Sequence, residues 1–325
     1  MSDAAPAEQQ ATRHLLMIRP AGFSGNAQTA ASNRFQDVET GQWPADPQAA
    51  AVAEFDAFVD SLRTSGTRII AVEDSNEPTT PDALFPNNWV SFHADGTAVL
   101  YPMLAPNRRL ERRMDILESL VTVHGFRIDR VIDLTYGEQE GRFLEGTGSL
   151  VLDRLNRVAY SCLSPRTDPG LLNEFGRRLG YEVIPFSATD GDGHPVYHTN
   201  VMLSVGERFA AICTDSIRPT DRWSVLDKLQ STGHRLIELS RAQMSRFAGN
   251  MLEVRGAGDR PLVAVSAAGF DALTEAQARV FAALGLGFVV ARLPTIERLG
   301  GGSARCMLAE IHLPSNPVRV VRERG

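Results

Sequence analysis

Hydrophobic positions along the chain repeat one short programme five times. Val52, Phe55, Phe58, Val59 and Leu62 fall at helical spacing between Asp46-Pro47 and Gly66. Leu110, Met114, Leu117 and Val121 form a second apolar stripe, opened by Asn107 and followed by Gly125. A third carries Leu172, Phe175 and Leu179 from Asp168 to Gly180, and a fourth carries Val225, Leu226 and Leu229 from Asp221 to Gly233. The fifth runs from Thr274 through Ala278, Phe281 and Leu284 to Gly285. The five glycines recur at near-equal intervals, each where a left-handed C-cap belongs. A strand-like run follows each of them, over 67–72, 126–134, 181–186, 234–239 and 286–293. Each run leads into a short polar or Gly-rich loop. Four of the loops are followed by paired β-like segments: 89–92 with 97–102, 149–152 with 158–163, 201–205 with 209–214, and 251–254 with 262–265. The fifth loop has only 307–313 after it, and its missing partner is expected to be 14–19. The pattern predicts an α/β fold: one closed domain over 13–325, built of five ββαβ modules around a pseudo-fivefold axis. Residues 1–12, Ala/Gln/acid-rich and without an apolar core, read as a disordered tail.

Composition narrows the class without naming a chemistry. The chain has 325 residues, 43% hydrophobic and 22% charged, with a formal net charge of −6. These are ordinary proportions for a globular protein. The acidic balance and the lack of a Lys/Arg cluster argue against a nucleic-acid surface. Apolar runs such as 262–265 and 288–291 fall far short of the ~20 residues of a membrane span. Cys162, Cys213 and Cys306 are odd in number and widely spaced, giving neither a disulfide framework nor a zinc pattern. A reducing cytoplasm is the expected location. The expected partner is a small molecule, with no nucleic acid, membrane, metal or cofactor, and the sequence is compatible with a homo-oligomer.

In a ring of such modules, loops at one equivalent position meet on the axis although they lie far apart in sequence. These loops read Phe85-Pro86-Asn87-Asn88, Glu145-Gly146-Thr147-Gly148 and Tyr197-His198-Thr199-Asn200. Ala248-Gly249-Asn250 and Gly300-Gly301-Gly302-Ser303-Ala304-Arg305-Cys306 complete the set. A thiol, an imidazole, a carboxylate and several amides would thus share one cavity. Cysteine as nucleophile, histidine as acid/base and a carboxylate to orient it is the logic of thiol acyl transfer. The glycines ahead of Cys306 allow close backbone approach and leave amides for developing charge. Taken singly these residues have plainer fates. Isolated cysteines are mostly core filler, which suits Cys162 and Cys213. Glu145 alone is a surface carboxylate, and Asn88, Asn200 and Asn250 are turn formers. Their common place in the repeat is what sets Cys306, His198 and Glu145 apart.

The motifs Phe-Pro-Asn-Asn-Trp, Phe-Leu-Glu-Gly-Thr-Gly-Ser and Gly-Gly-Gly-Ser-Ala-Arg-Cys-Met, in this order and spacing, resemble the amidinotransferase or pentein superfamily. That superfamily includes arginine deiminases, dimethylarginine dimethylaminohydrolases, glycine amidinotransferases and succinylarginine dihydrolases. From about residue 14 onward the chain is most similar to the branch of citrulline-utilisation hydrolases. The resemblance implies a pentein-type five-bladed α/β propeller. It also implies Cys306 as nucleophile, His198 as the His of a His-x-Asp motif and Glu145 as the Glu of Glu-Gly-Gly. Arg166, in Ser164-Pro165-Arg166-Thr167, resembles an arginine that holds a substrate α-carboxylate. Asp82, in Pro81-Asp82, resembles the acid ahead of a substrate-binding loop. Asn250 and Arg305 join the substrate-facing candidates. Arg298 and Arg142 are further carboxylate partners, although a surface ion pair is the commoner fate of any such arginine.

Two positions depart from the guanidine-cleaving members, which carry Asp where this chain has Asn88 and Asn200. Paired carboxylates suit a planar cation through charge-assisted hydrogen bonds. Amides offer donors and acceptors without charge, which suits a neutral ureido group. The expected function is therefore cofactor-free hydrolysis of citrulline to ornithine, carbon dioxide and ammonia through an S-carbamoyl intermediate. An arginine deiminase or amidinotransferase acting on a guanidino group is one alternative. A non-catalytic binding protein on the same fold is the other.

Overall fold

In the computed structural model, which describes residues 8–36, 44–75 and 77–315, local chemistry sets the helix starts. Asp46 accepts the Ala49 N–H and Pro47 occupies the first turn of α1 (Pro47–Thr64). Asp168 caps α3 (Pro169–Leu179) in the same way, and Thr274 with Gln277 forms a capping box on α5 (Glu275–Ala283). Two starts differ from expectation. Pro106–Glu111 is a 3₁₀ segment, and α2 begins only afterwards (Met114–Thr122). Asn107 is drawn away from a capping role by hydrogen bonds with Asn26 and Gln28. The helix α4 (Pro219–Ser231) opens ahead of Asp221, whose carboxylate accepts the Ser187 N–H instead. Gly66, Gly125, Gly180, Gly233 and Gly285 all have positive φ, between 69° and 94°, as the repeat requires.

The strands are β1 (His14–Arg19), β2 (Arg68–Glu73), β3 (Val90–Phe92), β4 (Thr97–Leu100) and β5 (Arg130–Asp133). They continue as β6 (Leu150–Asp153), β7 (Val158–Cys162), β8 (Glu182–Phe186), β9 (Leu203–Val205) and β10 (Phe209–Ile212). The last are β11 (Arg235–Glu238), β12 (Leu252–Arg255), β13 (Pro261–Ser266), β14 (Gly287–Ala291) and β15 (Ala309–Glu310). They form three-stranded sheets in the orders β3-β4-β5, β6-β7-β8, β9-β10-β11, β12-β13-β14 and β15-β1-β2. In each, the middle strand runs antiparallel to the first and parallel to the last. The connection to the last strand passes through one of α1–α5, as parallel pairing demands. The two ends of the chain complete the fifth sheet, with Leu15 opposite Glu310. The expected 307–313 run is shorter than predicted because Ala304–Met307 is a 3₁₀ turn and the Arg305 guanidinium takes the Leu308 carbonyl.

Helices cover the sheets with apolar faces. On α1, Ala51, Phe55, Phe58, Val59 and Leu62 are buried against β2 and β14. Each of the four large side chains contributes roughly 1.5–3 kcal/mol by leaving water. The first strands of the sheets are enclosed, every residue of β3, β6, β9 and β15 being buried. β3 packs on β15, β6 on β9 and β9 on β12. Asn88, Glu145, Asn200, Asn250 and Cys306 each lie just before one of these inner strands. That placement makes one site from five distant loops.

The expected tail is corrected over Glu8–Thr12. Glu8, Gln10 and Ala11 are buried. Gln10 Nε2 donates to the carbonyls of Leu152 and Val205, and Glu8 meets Arg154 Nη1 at 2.5 Å and the Tyr181 hydroxyl at 2.9 Å. A buried acid with matched partners outweighs the low local hydrophobicity. Residues 1–7 lie outside the described residues. Among the described residues no helix is long and apolar enough to cross a membrane.

Candidate active site

Glu145 stands at the start of a short helical turn, Gly146–Ser149, and its side chain is fully enclosed. Oε1 accepts the Leu104 N–H at 3.0 Å, while Oε2 lies 2.8 Å from His198 Nε2 and 3.3 Å from Arg166 Nη1. Burial works against the charge of this carboxylate. Arg166, the His198 hydrogen bond and Arg108 outweigh it and hold the group well below the usual carboxylate range. His198 responds the other way. Burial lowers its pKa to about 4, with Glu145 only partly opposing and Arg166 and Arg108 adding to the depression. The ring is therefore neutral at pH 7. Because ionised Glu145 can only accept, Nε2 carries the proton and Nδ1 is the basic nitrogen. Gly148 keeps the space beside it: a Cβ there would stand 2.7 Å from Nδ1 and 2.5 Å from Asn88 Nδ2. Tyr197 ties the histidine loop to the glycine loop, stacking on His198 at 4.6 Å and donating its hydroxyl to the Gly301 carbonyl at 2.6 Å.

Cys306 sits within the Ala304–Met307 turn, almost wholly buried. Its Sγ receives the side-chain amides of Asn250 at 3.3 Å and Asn200 at 3.5 Å. Asn250 is committed on every side, since Nδ2 also donates to the Asn200 carbonyl and Oδ1 accepts the Arg305 N–H. The amides of Asn200 and Asn250 turn to the sulfur, and neither lines the pocket in front of it.

That pocket is small, with Cys306, His198, Asn88, Asp82, Arg108 and Arg166 on its wall. Arg108 was not among the sequence candidates, and it decides how Asn88 is presented. Its Nη1 donates to Asn88 Oδ1 at 2.9 Å, while Glu111 holds Nε and Nη2 at 2.9 Å each. A guanidinium only donates, so the amide oxygen must face Arg108. Asn88 Nδ2 is left buried with no protein partner among the described residues. Asp82 has its Oδ2 bonded by Asn26 at 2.7 Å, while Oδ1 has no partner among the described residues. Burial raises the Asp82 pKa, only partly offset by Arg108 and Asn26. Arg166 is largely occupied: Nε and Nη2 bond Ser32 Oγ, Nη2 bonds the Thr29 carbonyl, and Nη1 bonds Glu145.

Arg305 is not in this pocket. Its guanidinium points to the Leu308 carbonyl and Glu310, so the expected substrate contact is corrected to a buried structural pair. Arg142 pairs with Glu140 and Asp168 at the surface. Cys162 and Cys213 are free and buried, as filler cysteines are. The signal that could have found Arg108 is its i,i+3 spacing to Glu111 in a segment that also carries the partly buried Arg109, Arg112 and Arg113.

A buried thiol, a neutral imidazole and an ionised carboxylate on a set of five three-stranded sheets define a pentein-type α/β protein with a cysteine-centred site. Comparison with known proteins places it further. The family described as N,N dimethylarginine dimethylhydrolase, eukaryotic, matches residues 19–313, and the chain belongs to that family. Among curated proteins, none matches the chain. Several solved structures share the fold. One is a mutant of the N-terminal domain of ArgZ bound to substrate, an arginine dihydrolase from the ornithine-ammonia cycle in cyanobacteria. It has a TM-score of 0.70 at 16% identity over 93% of this chain and 98% of that one. A mutant of AgrE in complex with L-arginine has a TM-score of 0.71 at 15% identity, over 94% of this chain and 41% of that one. A dimethylarginine dimethylaminohydrolase adduct with S-methyl-L-thiocitrulline has a TM-score of 0.62 at 15% identity, over 92% and 99% of the two chains.

Proposed function

We propose that this protein hydrolyses the ureido group of citrulline, giving ornithine, carbon dioxide and ammonia. The orientation of Asn88 carries the reading. Arg108 takes the amide oxygen, so the side chain offers N–H donors to its other surroundings. A ureido oxygen accepts such donors, whereas a guanidinium has no acceptor to give. In this scheme Cys306 attacks the ureido carbon, and charge developing on the oxygen meets the Asn88 amide. His198 Nδ1 takes the thiol proton and passes it to the departing amine, leaving an S-carbamoyl group. It then takes a proton from water, whose attack frees carbamate and restores the thiol; carbamate breaks down to ammonia and carbon dioxide. Glu145 keeps the proton on Nε2 and so keeps Nδ1 basic. Arg166 meets the α-carboxylate through the Nη1 hydrogen that Glu145 leaves over. Family membership supports cysteine-dependent cleavage of a C–N bond at such a carbon.

Asp82 favours a second reading, a guanidino substrate, because its Oδ1 offers a cation an acceptor. Incubating the purified protein with citrulline and with arginine, and measuring ornithine and ammonia, separates the two. A kcat/KM for citrulline well above that for arginine is the expected result. Consumption of arginine with citrulline untouched would favour the reading built on Asp82. Turnover of neither would remove both.

A further inference from the structure

We infer that Asn250 and Asn200 are a thiolate-stabilising pair: with no cation on the sulfur among the described residues, their amides carry the charge that Cys306 takes on when its proton passes to His198. The inference rests on the reading of Cys306 as nucleophile and adds what sustains its charge. Two side-chain amides converge on one buried sulfur, at 3.3 Å and 3.5 Å, from the loops before β12 and β9. A thiol is a weak acceptor and a thiolate a strong one, so two N–H donors aimed at sulfur favour the anion. A buried anion without such partners would be costly.

The geometry of Asn250 shows that this aim is imposed. The Arg305 N–H donates to Oδ1 at 3.0 Å, and the Asn200 carbonyl accepts from Nδ2 at 2.9 Å. Turning the amide over would set a donor against the Arg305 N–H and an acceptor against the Asn200 carbonyl. The second Nδ2 hydrogen is thereby left for Cys306, while the un-ionised thiol can itself donate to Oδ1 at 3.7 Å, a contact that is given up when the sulfur ionises. Asn200 completes the pair with one side-chain contact, the sulfur, and its Oδ1 is buried without a partner among the described residues.

Other groups supply this role poorly. The ionisable side chains that share the pocket wall with Cys306 are His198, Asp82, Arg108, Arg166 and Tyr197. His198 is neutral near pH 7, Arg108 is spent on Glu111 and Asn88, and Arg166 on Glu145 and the Thr29–Ser32 backbone and hydroxyl. Asp82 can add only negative charge, and Tyr197 has its hydroxyl on Gly301. Arg305 shares the turn with Cys306, but its guanidinium is on Leu308 and Glu310.

The test reads the sulfur without substrate. The full chain is alkylated with iodoacetamide at one neutral pH, and modification of Cys306 is followed by peptide mass spectrometry. Asn200→Leu keeps the shape and removes the donor, and Asn200→Asp sets a carboxylate against the sulfur. Both leave the Asn200 backbone carbonyl to Asn250, and unfolding curves establish that the variants are folded. The alkylation rate should fall about tenfold in Asn200→Leu and further in Asn200→Asp. Asn250→Leu should fall at least as far, with the ultraviolet thiolate absorbance falling in step. Wild-type rates in folded Asn200→Leu and Asn200→Asp would overturn the inference. Because the probe needs no substrate, an enzyme that ignored citrulline but kept this order of reactivity would sink the substrate reading alone.

Discussion

Two buried clusters of charge lie at opposite ends of the inner strands. β6 leads from Glu145 to Arg154, and the segment through β15 leads from Cys306 to His312. At the first end Glu145, His198, Arg108, Arg166, Asp82 and Glu111 crowd around the pocket. At the second, Arg154 joins Glu8 and Glu310, Arg305 pairs with Glu310 at 2.9 Å, and His93 and His312 lie beside the two acids. Both clusters displace ionisation. Despite burial, Arg154 and Arg305 hold Glu310 down to about 2, and Arg154 holds Glu8 lower still. Perturbed carboxylates therefore do not by themselves mark a site. The first cluster differs in what it leaves open: Asp82 Oδ1 and Asn88 Nδ2 are unpartnered, and both residues share a pocket with the thiol. Arg154 Nη2 and His93 Nδ1 lack hydrogen-bond partners among the described residues too, but neither residue is on that pocket's wall. Both clusters border a cavity, but the wall beside the second, with Gln10, Arg305 and Glu310 among mostly apolar residues, carries neither the thiol nor the imidazole.

The comparison breaks most sharply at the thiol. Cys306→Ala should lower turnover by about 10⁴-fold or more with little change in melting temperature, whereas Cys162→Ala and Cys213→Ala should move only stability. Substantial turnover in purified Cys306→Ala would sink the covalent scheme. Between the clusters, the two readouts should exchange. Glu145→Gln removes the charge that fixes the His198 tautomer and should cost about 10²–10³ in kcat. Arg154→Leu removes the buried cation shared by Glu8 and Glu310, leaving them Arg157 and Arg305, and should cost ~1–3 kcal/mol of stability through the lost buried hydrogen bonds. Activity per folded molecule should stay near wild type there. If Arg154→Leu cost catalysis and Glu145→Gln only stability, the assignment of the two ends would be reversed.

Smaller effects sharpen the first cluster. Arg166→Lys keeps a cation but loses the fork that spans Ser32 and Glu145, so KM for citrulline should rise about tenfold, more than kcat falls. Equal losses on a ureido compound lacking the carboxylate would make Arg166 purely structural. The pH profile follows from His198, whose folded pKa of about 4 lies below its ordinary 6.5. The unfolded chain binds the extra proton first, so this group's contribution to stability falls as pH drops from about 6.5 toward 4. Activity should fall only as pH approaches about 4, where the base becomes protonated. An acid limb centred near 6.5 would mean that burial does not depress this histidine.

Much of this was legible in the chain. The terminal glycines, Asp46-Pro47 and Thr274 with Gln277 carry local chemistry that acts alone, and the repeat placed Glu145, His198 and Cys306 together. What sequence could not supply was direction. Asn88, Asn200 and Asn250 occupy equivalent positions, yet Arg108 turns the first one's oxygen away from the pocket while the other two face the sulfur. Those orientations depend on partners 20 to 106 residues away, beyond the reach of any local pattern. The packing of Glu8 was hidden for the same reason, because its partners Arg154 and Tyr181 are remote in sequence.

The direction of the Asn88 amide can be read most directly in Asn88→Asp. One carboxylate oxygen would keep Arg108 Nη1, so the charge stays compensated, and the other would replace a donor with an acceptor. The measurement is kcat/KM for citrulline and the inhibition constant for arginine, in wild type and in Asn88→Asp. Citrulline turnover should fall by ~10²-fold, equivalent to ~2.7 kcal/mol, while arginine binds more tightly. Unchanged citrulline turnover in a folded variant, with arginine bound no better, would contradict the claim that this amide selects a neutral ureido group.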